Sequence, residues 1–182
     1  MTTPDIAAGT WTIDPTHSEV GFTVRHLMVS KVRGNFEKFS GTLTVAEDPL
    51  QSSVHVEVDL DSINTREAQR DGHLRSADFF EVEKYPTMTF DSTAMKADGS
   101  SYVVTGDLTI KGTTMPVELD LELNGVGPDP WGGTRAGFSA EAEISRKEFG
   151  VDIEMPLDGG GVVVGDKIKV LLEIEAVLQS DG

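Results

Sequence analysis

Apolar and polar residues alternate along most of this 182-residue chain, as they do in strands with one buried and one solvated face. The clearest run spans residues 54–60, whose apolar members are Val54, Val56, Val58 and Leu60. The same period of two recurs at residues 117–124, 136–145 and 168–176. Weaker strand signals cover residues 10–13, 19–27, 34–45, 87–95 and 101–111. Eight or nine such strands predict an all-β antiparallel fold, either a closed barrel or a sandwich.

Turn signals built from Gly, Pro, Asp and Asn separate the predicted strands. They lie at residues 48–49, 97–100, 111–113, 124–133 and 158–161. The Lys-Gly-Thr sequence at residues 111–113 predicts a tight hairpin between two strands. The longer signals at residues 124–133, around Trp131, and at residues 158–161 predict loops.

The alternation stops at residues 64–80, where a different kind of segment begins. Three arginines, one histidine and a pair of phenylalanines occur there. We predict a short helix over residues 66–74, capped by Asn64 or Thr65, and a second turn that begins at Ser76. A β scaffold does not need such an insert in order to fold, so this segment is where we expect function to lie.

Length and composition are those of a single domain. We predict one barrel domain over residues 10–178, a disordered or extended tail at residues 1–9, and a short tail at residues 179–182. The chain has no cysteine, which excludes disulfides, Cys-ligated zinc and a thiol nucleophile.

The net charge of −16 argues against partners that present many phosphates, namely nucleic acids and anionic membranes. The first residues carry neither the basic region nor the apolar core of a signal peptide, so we expect a cytoplasmic protein. No apolar run approaches the roughly 20 residues of a membrane-spanning helix.

The pattern leaves open whether the barrel interior is full or hollow. Small residues such as Ala136, Ala140 and Ala142 leave room for a ligand tunnel, whereas four phenylalanines on the apolar faces favour a packed core. A packed barrel would be an interaction module rather than a carrier.

Catalytic and metal-binding motifs are weak. Ser18 follows His17 directly, but neighbours on a strand point to opposite faces and cannot form a dyad, so we expect a non-enzymatic protein. The four histidines lack metal-ligand spacing, and we predict no metal site. Folding would have to bring His17, His26 and His73 together to support the alternative, an enzyme or stress-response protein acting on a small apolar or redox substrate with a His-bound metal.

Lipid binding fits the sequence better, because an aliphatic tunnel suits an alkyl or isoprenoid tail and the insert carries cations for an anionic headgroup. The candidate headgroup residues are His17, His26, Thr65, Arg70, Asp71, His73 and Arg146. The candidate tail-lining residues are Phe22, Val24, Phe36, Val56, Val58, Phe79, Phe80, Met88, Phe90, Leu108, Phe138, Ala140, Ala142 and Val170. We predict that the insert forms a cap beside the barrel mouth, with its phenylalanines in the interior and Arg70 or His73 facing the headgroup.

Ordered short motifs along the chain also carry a family resemblance. Near the start these are Trp11, Ile13, Asp14, His17, Ser18, Val20, Phe22, His26, Gly34, Phe36 and Gly41. In the middle they are Asn64-Thr65, Arg70-Asp71, His73-Leu74, Asp78-Phe79-Phe80, Tyr85-Pro86, Met88 and Phe90. Towards the end they are residues 106–110, Gly112, residues 146–150 and residues 164–166. Over about residues 10–178 the chain thus resembles the YceI-like proteins, also called polyisoprenoid-binding proteins.

The resemblance implies a lipocalin-like, extended antiparallel β-barrel around a long apolar tunnel. It also implies a bound polyisoprenoid of the phosphate or quinone type, or a fatty-acid-like ligand, with no other cofactor required, and a homodimer. Many family members carry a secretory signal, whereas residues 1–9 lead us to expect none here. Ligand contact and bracing of the barrel are both open roles for the polar candidates.

Overall fold

The computed structural model describes residues 6–26, 30–77, 79–151 and 164–179. Within these ranges the chain forms strands and one α-helix, together with short 3-10 turns. The strands are β1 (Gly9–Ile13), β2 (Glu19–His26), β3 (Ser30–Phe36), β4 (Phe39–Val45), β5 (Ser53–Asp59), β6 (Ile63–Asn64), β7 (Thr87–Asp98), β8 (Ser101–Ile110), β9 (Thr113–Pro128), β10 (Thr134–Ser145) and β11 (Val164–Leu178). The helix is α1 (Ala68–Arg75), and no helix among the described residues is long and apolar enough to cross a bilayer.

Eight strands close into a ring in the order β1-β4-β5-β7-β8-β9-β10-β11, and the pairing of β1 with β11 completes it. All of these pairings are antiparallel. A ring of eight strands encloses just enough space for side chains or for one small ligand. The predicted all-β antiparallel barrel is therefore confirmed.

Strand β11 extends the barrel beyond the simple ring. Ala176 and its neighbours pair with β1, whereas residues 168–173 pair with β2 on the same edge of the strand. Strand β2 in turn pairs with β3, and β3 pairs with the two-residue strand β6. The wall beside β11 is thus made by β1 at one end of the barrel and by β2, β3 and β6 at the other.

The helix lies at the end of the barrel where β8 and β10 end, which we call the helix end. Leu74 of α1 packs among apolar side chains that include Ile63 of β6 and Ile110 at the end of β8. Phe149, which is 1% exposed, belongs to the same core. The core at the opposite end is built around Trp11, which is fully buried.

The single strand predicted at residues 34–45 is wrong, because the chain divides there into β3 and β4. The backbone of residues 37–38 turns away to bond a neighbouring 3-10 turn (Leu60–Ser62) instead of another strand. Glu37 N–H donates to the carbonyl of Ser62 over 3.2 Å, and Lys38 N–H donates to the Ser62 hydroxyl over 3.0 Å. These bonds tie the β3–β4 corner to the strand that leads into the insert.

The predicted hairpin at residues 111–113 is confirmed. Lys111 and Gly112 have φ angles of 52° and 78°, which is the backbone of a type I′ two-residue turn. The loop predicted at residues 124–133 is shorter than expected, because β9 continues to Pro128 and pairs with β10. The loop predicted at residues 158–161 lies outside the described residues.

Helix α1 begins later than predicted. Its N-cap is Glu67, whose carboxylate accepts hydrogen bonds from the N–H groups of Gln69 and Arg70. Asn64 and Thr65 cannot cap the helix because Arg66 has a φ of 66° and breaks the helical path between them and Glu67. Ser76 ends α1 as its C-cap, and it also begins the predicted second turn, since its carbonyl accepts a hydrogen bond from Phe79 N–H over 3.0 Å.

Candidate functional site

The barrel is hollow. An apolar cavity of about 330 Å³ is lined by residues from both ends of the barrel. Val45 and Leu123 line it near the buried Trp11, and Phe149 and Val151 line it at the helix end. Its volume lies at the lower end of the range of roughly 300–1,000 Å³ found for small-molecule sites. The sequence left open whether the interior is packed or hollow, and the cavity shows that it is hollow.

Every residue predicted to contact a ligand tail lies on the cavity wall. These residues are Phe22, Val24, Phe36, Val56, Val58, Phe79, Phe80, Met88, Phe90, Leu108, Phe138, Ala140, Ala142 and Val170. The alternating strands explain their placement, since a closed barrel turns one face of each strand inwards. Their contact with a ligand stays a prediction.

The two phenylalanines of the insert close the interior from the helix end. Phe79 is 6% exposed and packs with Ile110, Phe149 and other side chains at that end. Phe80 meets the ring of Phe36 edge-on, with 6.3 Å between ring centroids. A hydrogen bond from Phe80 N–H to the Leu74 carbonyl, 3.0 Å long, holds this turn against α1.

Two arginines among the predicted headgroup residues reach the cavity, and both are at the helix end. Arg70 is half-buried on α1; its Nε donates to Thr65 Oγ1 over 2.8 Å, and its Nη2 donates to the Thr65 carbonyl over 2.7 Å. Both acceptors are neutral oxygens, so these bonds orient the guanidinium without cancelling its charge. Arg70 is therefore suited to receive an anionic group at this end of the cavity.

Arg146 directly follows β10 and is 6% exposed. Its Nη1 donates to the carbonyl of Val151 over 3.0 Å. The neighbouring Ser145 hydroxyl donates to the carboxylate of Asp166 at the start of β11. Although burial opposes ionisation of Asp166, this bond and one from Lys147 N–H hold its pKa below the usual range. Arg146 thus lines the cavity from a firmly held strand end.

Asp71 is buried behind Thr65 and does not line the cavity. Its carboxylate accepts from Thr65 N–H over 2.9 Å and from the Thr65 hydroxyl. Because Thr65 in turn orients Arg70, the three residues form a chain of contacts from the barrel core to the cavity. Asp71 acts in this geometry as a positioning group for Thr65 and Arg70.

His73 lies on α1 beside Phe79 rather than on the cavity wall. Its ring meets the ring of Phe79 edge-on, with 5.1 Å between centroids. Of the two residues proposed to face a headgroup, Arg70 lines the cavity and His73 supports Phe79. The backbone of His26 pairs with Ser30 and Val164, and its side chain lies outside what the structure describes.

His17 sits far from this group, in what we call the outer ion-pair cluster: Asp14, His17, Asp129, Arg135 and Glu175. His17 is exposed, and its Nδ1 lies 2.7 Å from Asp14 Oδ2. Arg135 Nη1 donates to Asp14 over 2.8 Å and to Glu175 over 2.7 Å. Arg135, then His17 and Thr16, hold the pKa of Asp14 well below its usual range. The cluster joins the β1–β2 corner to strands β10 and β11.

The metal hypothesis finds little support in this arrangement. Among the described residues, the one group of His, Asp and Glu close enough to share an ion is Asp14, His17 and Glu175. Arg135 Nη1 already lies between the two carboxylates, where a cation would have to bind. His73 belongs to no such group within the described ranges.

Sequence reasoning missed several residues of this site. Leu119, Leu121 and Ile174 line the cavity and lie on apolar faces that the alternation already marked. Phe149 and Val151 follow β10 in a region without alternation, and Phe149 was marked only as part of the family motif at residues 146–150. Arg135 was also missed as the centre of the outer ion-pair cluster, because its three carboxylate partners are distant in sequence or lie on a loop.

Comparison with known proteins places these features in a family. Residues 11–176 match the YceI-like domain. Protein YceI of Escherichia coli O157:H7 is 42% identical over 164 residues, which cover 90% of this chain and 83% of that protein. The crystal structure of Burkholderia cenocepacia BcnA superposes with a TM-score of 0.78 at 25% identity, covering 90% of this chain and 98% of that one.

A third similar structure is a polyisoprenoid binding domain from Saccharophagus degradans that is implicated in plant cell wall breakdown. Its TM-score is 0.67 at 17% identity, and the match covers 93% of this chain and 98% of that one. At this identity the similarity concerns the fold.

Proposed function

Since the chain belongs to the YceI-like family, we propose that its barrel binds a polyisoprenoid or a similar long-chain amphiphile and carries or sequesters it without catalysis. The observation that carries this proposal is the apolar cavity that receives side chains from both ends of the barrel. The polyisoprenoid binding domain with the same fold supports the choice of ligand class.

The hydrophobic effect provides the affinity for the tail. Each methylene transferred from water to such a cavity gains about 0.8 kcal/mol, so a chain of a few isoprene units would bind tightly even with weak headgroup contacts. The small side chains of Ala140 and Ala142 keep the cavity open on the β10 side. The tail contacts select for length and shape rather than for a chemical group.

The headgroup would lie at the helix end, beside Arg70. A phosphate there would receive charge-assisted hydrogen bonds, which are stronger than those between neutral partners. Arg146 adds a second positive charge to the same end of the cavity. An anionic headgroup is therefore preferred over a neutral alcohol with the same tail.

Filling the cavity tests the proposal. We expect Ala140→Phe to lose uptake of a polyprenyl phosphate, measured by native mass spectrometry after incubation with the lipid, because the new ring occupies tail space. Glu141→Phe is the matched control, since residue 141 is the exposed neighbour on the outer face. A wild-type protein that takes up neither polyprenyl phosphates nor quinones would overturn the proposal.

We also propose that the protein is a homodimer, as its family resemblance implies. Sedimentation equilibrium at several protein concentrations would measure the mass in solution. A mass that stays at 19.6 kDa throughout would refute the dimer and leave the binding proposal untouched.

A further inference from the structure

One wall of the barrel is basic, whereas the molecule as a whole is acidic. After Glu19, the first residue of β2, residues 20–26 of β2 and 30–36 of β3 contain no Asp or Glu but include Arg25, Lys31 and Arg33. The chain as a whole has a net charge of −16. Such a segment stands out because most strands of this barrel carry acidic residues on their outer faces.

The strand register gathers more basic residues next to this segment. Thr23 of β2 pairs with Arg33 on one side and with Lys169 of β11 on the other. Lys167 precedes Lys169 by two residues and therefore shares its face. We call the exposed side chains Lys31, Arg33, Lys167 and Lys169 the basic face.

Acidic groups near the basic face neutralise only part of it. Lys169 Nζ lies 3.8 Å from Glu141 Oε2, and Glu143 pairs with Lys169 in the register of β10. The carboxylate of Asp166 is engaged by the Ser145 hydroxyl. The basic residues of β3 have no acidic neighbour in register on β2.

Protection of a sheet edge does not explain the whole face. Lysine on an edge strand often prevents aggregation, and β3 pairs with β6 at only two positions. Strand β11, however, is paired on both sides at Lys169, with Glu143 and with Thr23. Lys169 thus has no edge to protect, and the face calls for a different explanation.

The same strands form the cavity wall on their inner side. Phe22, Val24 and Val32 line the cavity beneath the basic face, and so do Ile168 and Val170 of β11. The face therefore lies over the half of the cavity that leads to the helix end and Arg70. A partner docked on it would be next to the proposed headgroup site.

Although the net charge of −16 argues by itself against anionic membranes, we propose that the local basic face docks the barrel on an anionic lipid bilayer from which it loads its ligand. This inference rests on the proposed function, because a polyisoprenoid or similar amphiphile is stored in membranes. Charge complementarity carries the choice of partner: each Lys or Arg near an anionic surface contributes favourably within about one Debye length. That length is about 8 Å at physiological salt, so the acidic remainder of the protein is screened.

Binding to the bilayer should depend on salt in an unusual way. At about 0.01 M salt the Debye length is about 30 Å, and repulsion by the acidic remainder reaches the bilayer. At about 1 M salt it is about 3 Å, and attraction by the basic face is lost as well. Binding should therefore be strongest at intermediate salt, whereas a uniformly acidic protein would approach the bilayer more readily at every increase of salt.

Vesicle co-sedimentation tests the proposal with the intact protein. We expect binding to vesicles that mix phosphatidylglycerol with phosphatidylcholine and little binding to phosphatidylcholine alone. The double variant Lys31→Glu, Arg33→Glu should bind the anionic vesicles at least tenfold more weakly, since two attractive charges become repulsive. The control is the double variant Lys84→Glu, Lys96→Glu, which makes the same change of net charge at exposed positions outside the basic face. It should bind like the wild type.

The outcomes separate this inference from the proposed function. Equal wild-type binding to both kinds of vesicle, or equal losses in the two double variants, would overturn the docking surface. Uptake of polyprenyl phosphate supplied from detergent, without vesicles, should be the same in wild type and Lys31→Glu, Arg33→Glu. If no variant takes up lipid while vesicle binding follows the basic face, the proposed function fails and the docking surface stands.

Discussion

Two arginines of this barrel are held in opposite ways, and the contrast separates support from binding. Arg135 lies on the outside and contacts three carboxylates, those of Asp14, Asp129 and Glu175. Arg70 lies at the cavity, and its hydrogen bonds go to the hydroxyl and carbonyl oxygens of Thr65. Arg135 makes direct ion pairs with its carboxylate neighbours, whereas Arg70 contacts the carboxylate of Asp71 only through the Thr65 hydroxyl.

The difference shows why a cluster of charged residues is a poor guide to function by itself. The outer ion-pair cluster has the histidine and carboxylates that suggest chemistry, yet its arginine pairs with the carboxylates and ties the β1–β2 corner to β10 and β11. The cavity group has fewer charges, but Asp71 and Thr65 hold its arginine in place beside an apolar space. Binding sites need charge that the folded protein leaves unmatched.

Of the changes that test this contrast, removing Asp71 should have the largest effect, because it alters both stability and lipid affinity. Asp71→Ala leaves the buried N–H and hydroxyl of Thr65 without their acceptor, at a cost of about 1–3 kcal/mol in unfolding free energy. We expect lower affinity for polyprenyl phosphate as well, because Thr65 no longer positions Arg70. Urea denaturation and lipid titration measure the two effects. Asp71→Asn keeps an acceptor and should lose less of both; equal losses would refute the positioning role.

Neutralising Arg70 should affect binding more than folding. Arg70→Gln removes a charge-assisted hydrogen bond worth about 1.5–3 kcal/mol, so affinity for a polyprenyl phosphate should fall roughly tenfold or more. Affinity for the corresponding neutral polyprenol should hardly change. The matched control is Arg66→Gln, an exposed position in the same insert. Equal losses of affinity for the polyprenyl phosphate and the polyprenol would show that Arg70 does not bind the headgroup.

Neutralising Arg135 should affect folding and spare binding. Arg135→Gln leaves Asp14 and Glu175 facing each other across the outer ion-pair cluster, so the thermal midpoint should drop modestly. Lipid affinity measured below that midpoint should equal that of the wild type. A loss of affinity as large as that of Arg70→Gln would contradict the division between the two arginines.

Acid titration should give the smallest effect. The pKa of Asp14 is lowered chiefly by Arg135, and that of Asp129 chiefly by the N–H of Gly133. A carboxylate with a lowered folded pKa stabilises the protein above its unfolded pKa, about 3.9, and this stability is lost as pH falls below that value. We expect unfolding free energy to fall below about pH 4 and to fall less steeply in Arg135→Gln. Identical slopes in urea titrations of both proteins would exclude this role of the cluster.

Much of the barrel was predictable because its signal is local. Alternation placed the apolar face of each strand, and the Lys111-Gly112 turn followed from a glycine, which adopts positive φ readily. The predictions failed where distant contacts decide. Ser62 splits the strand predicted at residues 34–45 in this way. One failure was local, since the positive φ of Arg66 moves the N-cap of the helix to Glu67.

The site was predictable in its residue types and less so in its grouping. Arg70 and Arg146 were singled out together, and both line the cavity at one end. His17 was placed with them but lies in the outer ion-pair cluster. The sequence has no local signal that tells one cluster from the other, because each gathers residues from strands far apart in the chain.

The sequence by itself determined the all-β character, the inward apolar faces and the insert at residues 64–80, since period and composition are properties of neighbouring residues. Tertiary structure alone decided that the barrel is hollow, that Asp71 and Thr65 support Arg70, and that Arg33 and Lys169 share a face. Those facts depend on ring closure and strand register, which bring together residues that the chain keeps apart.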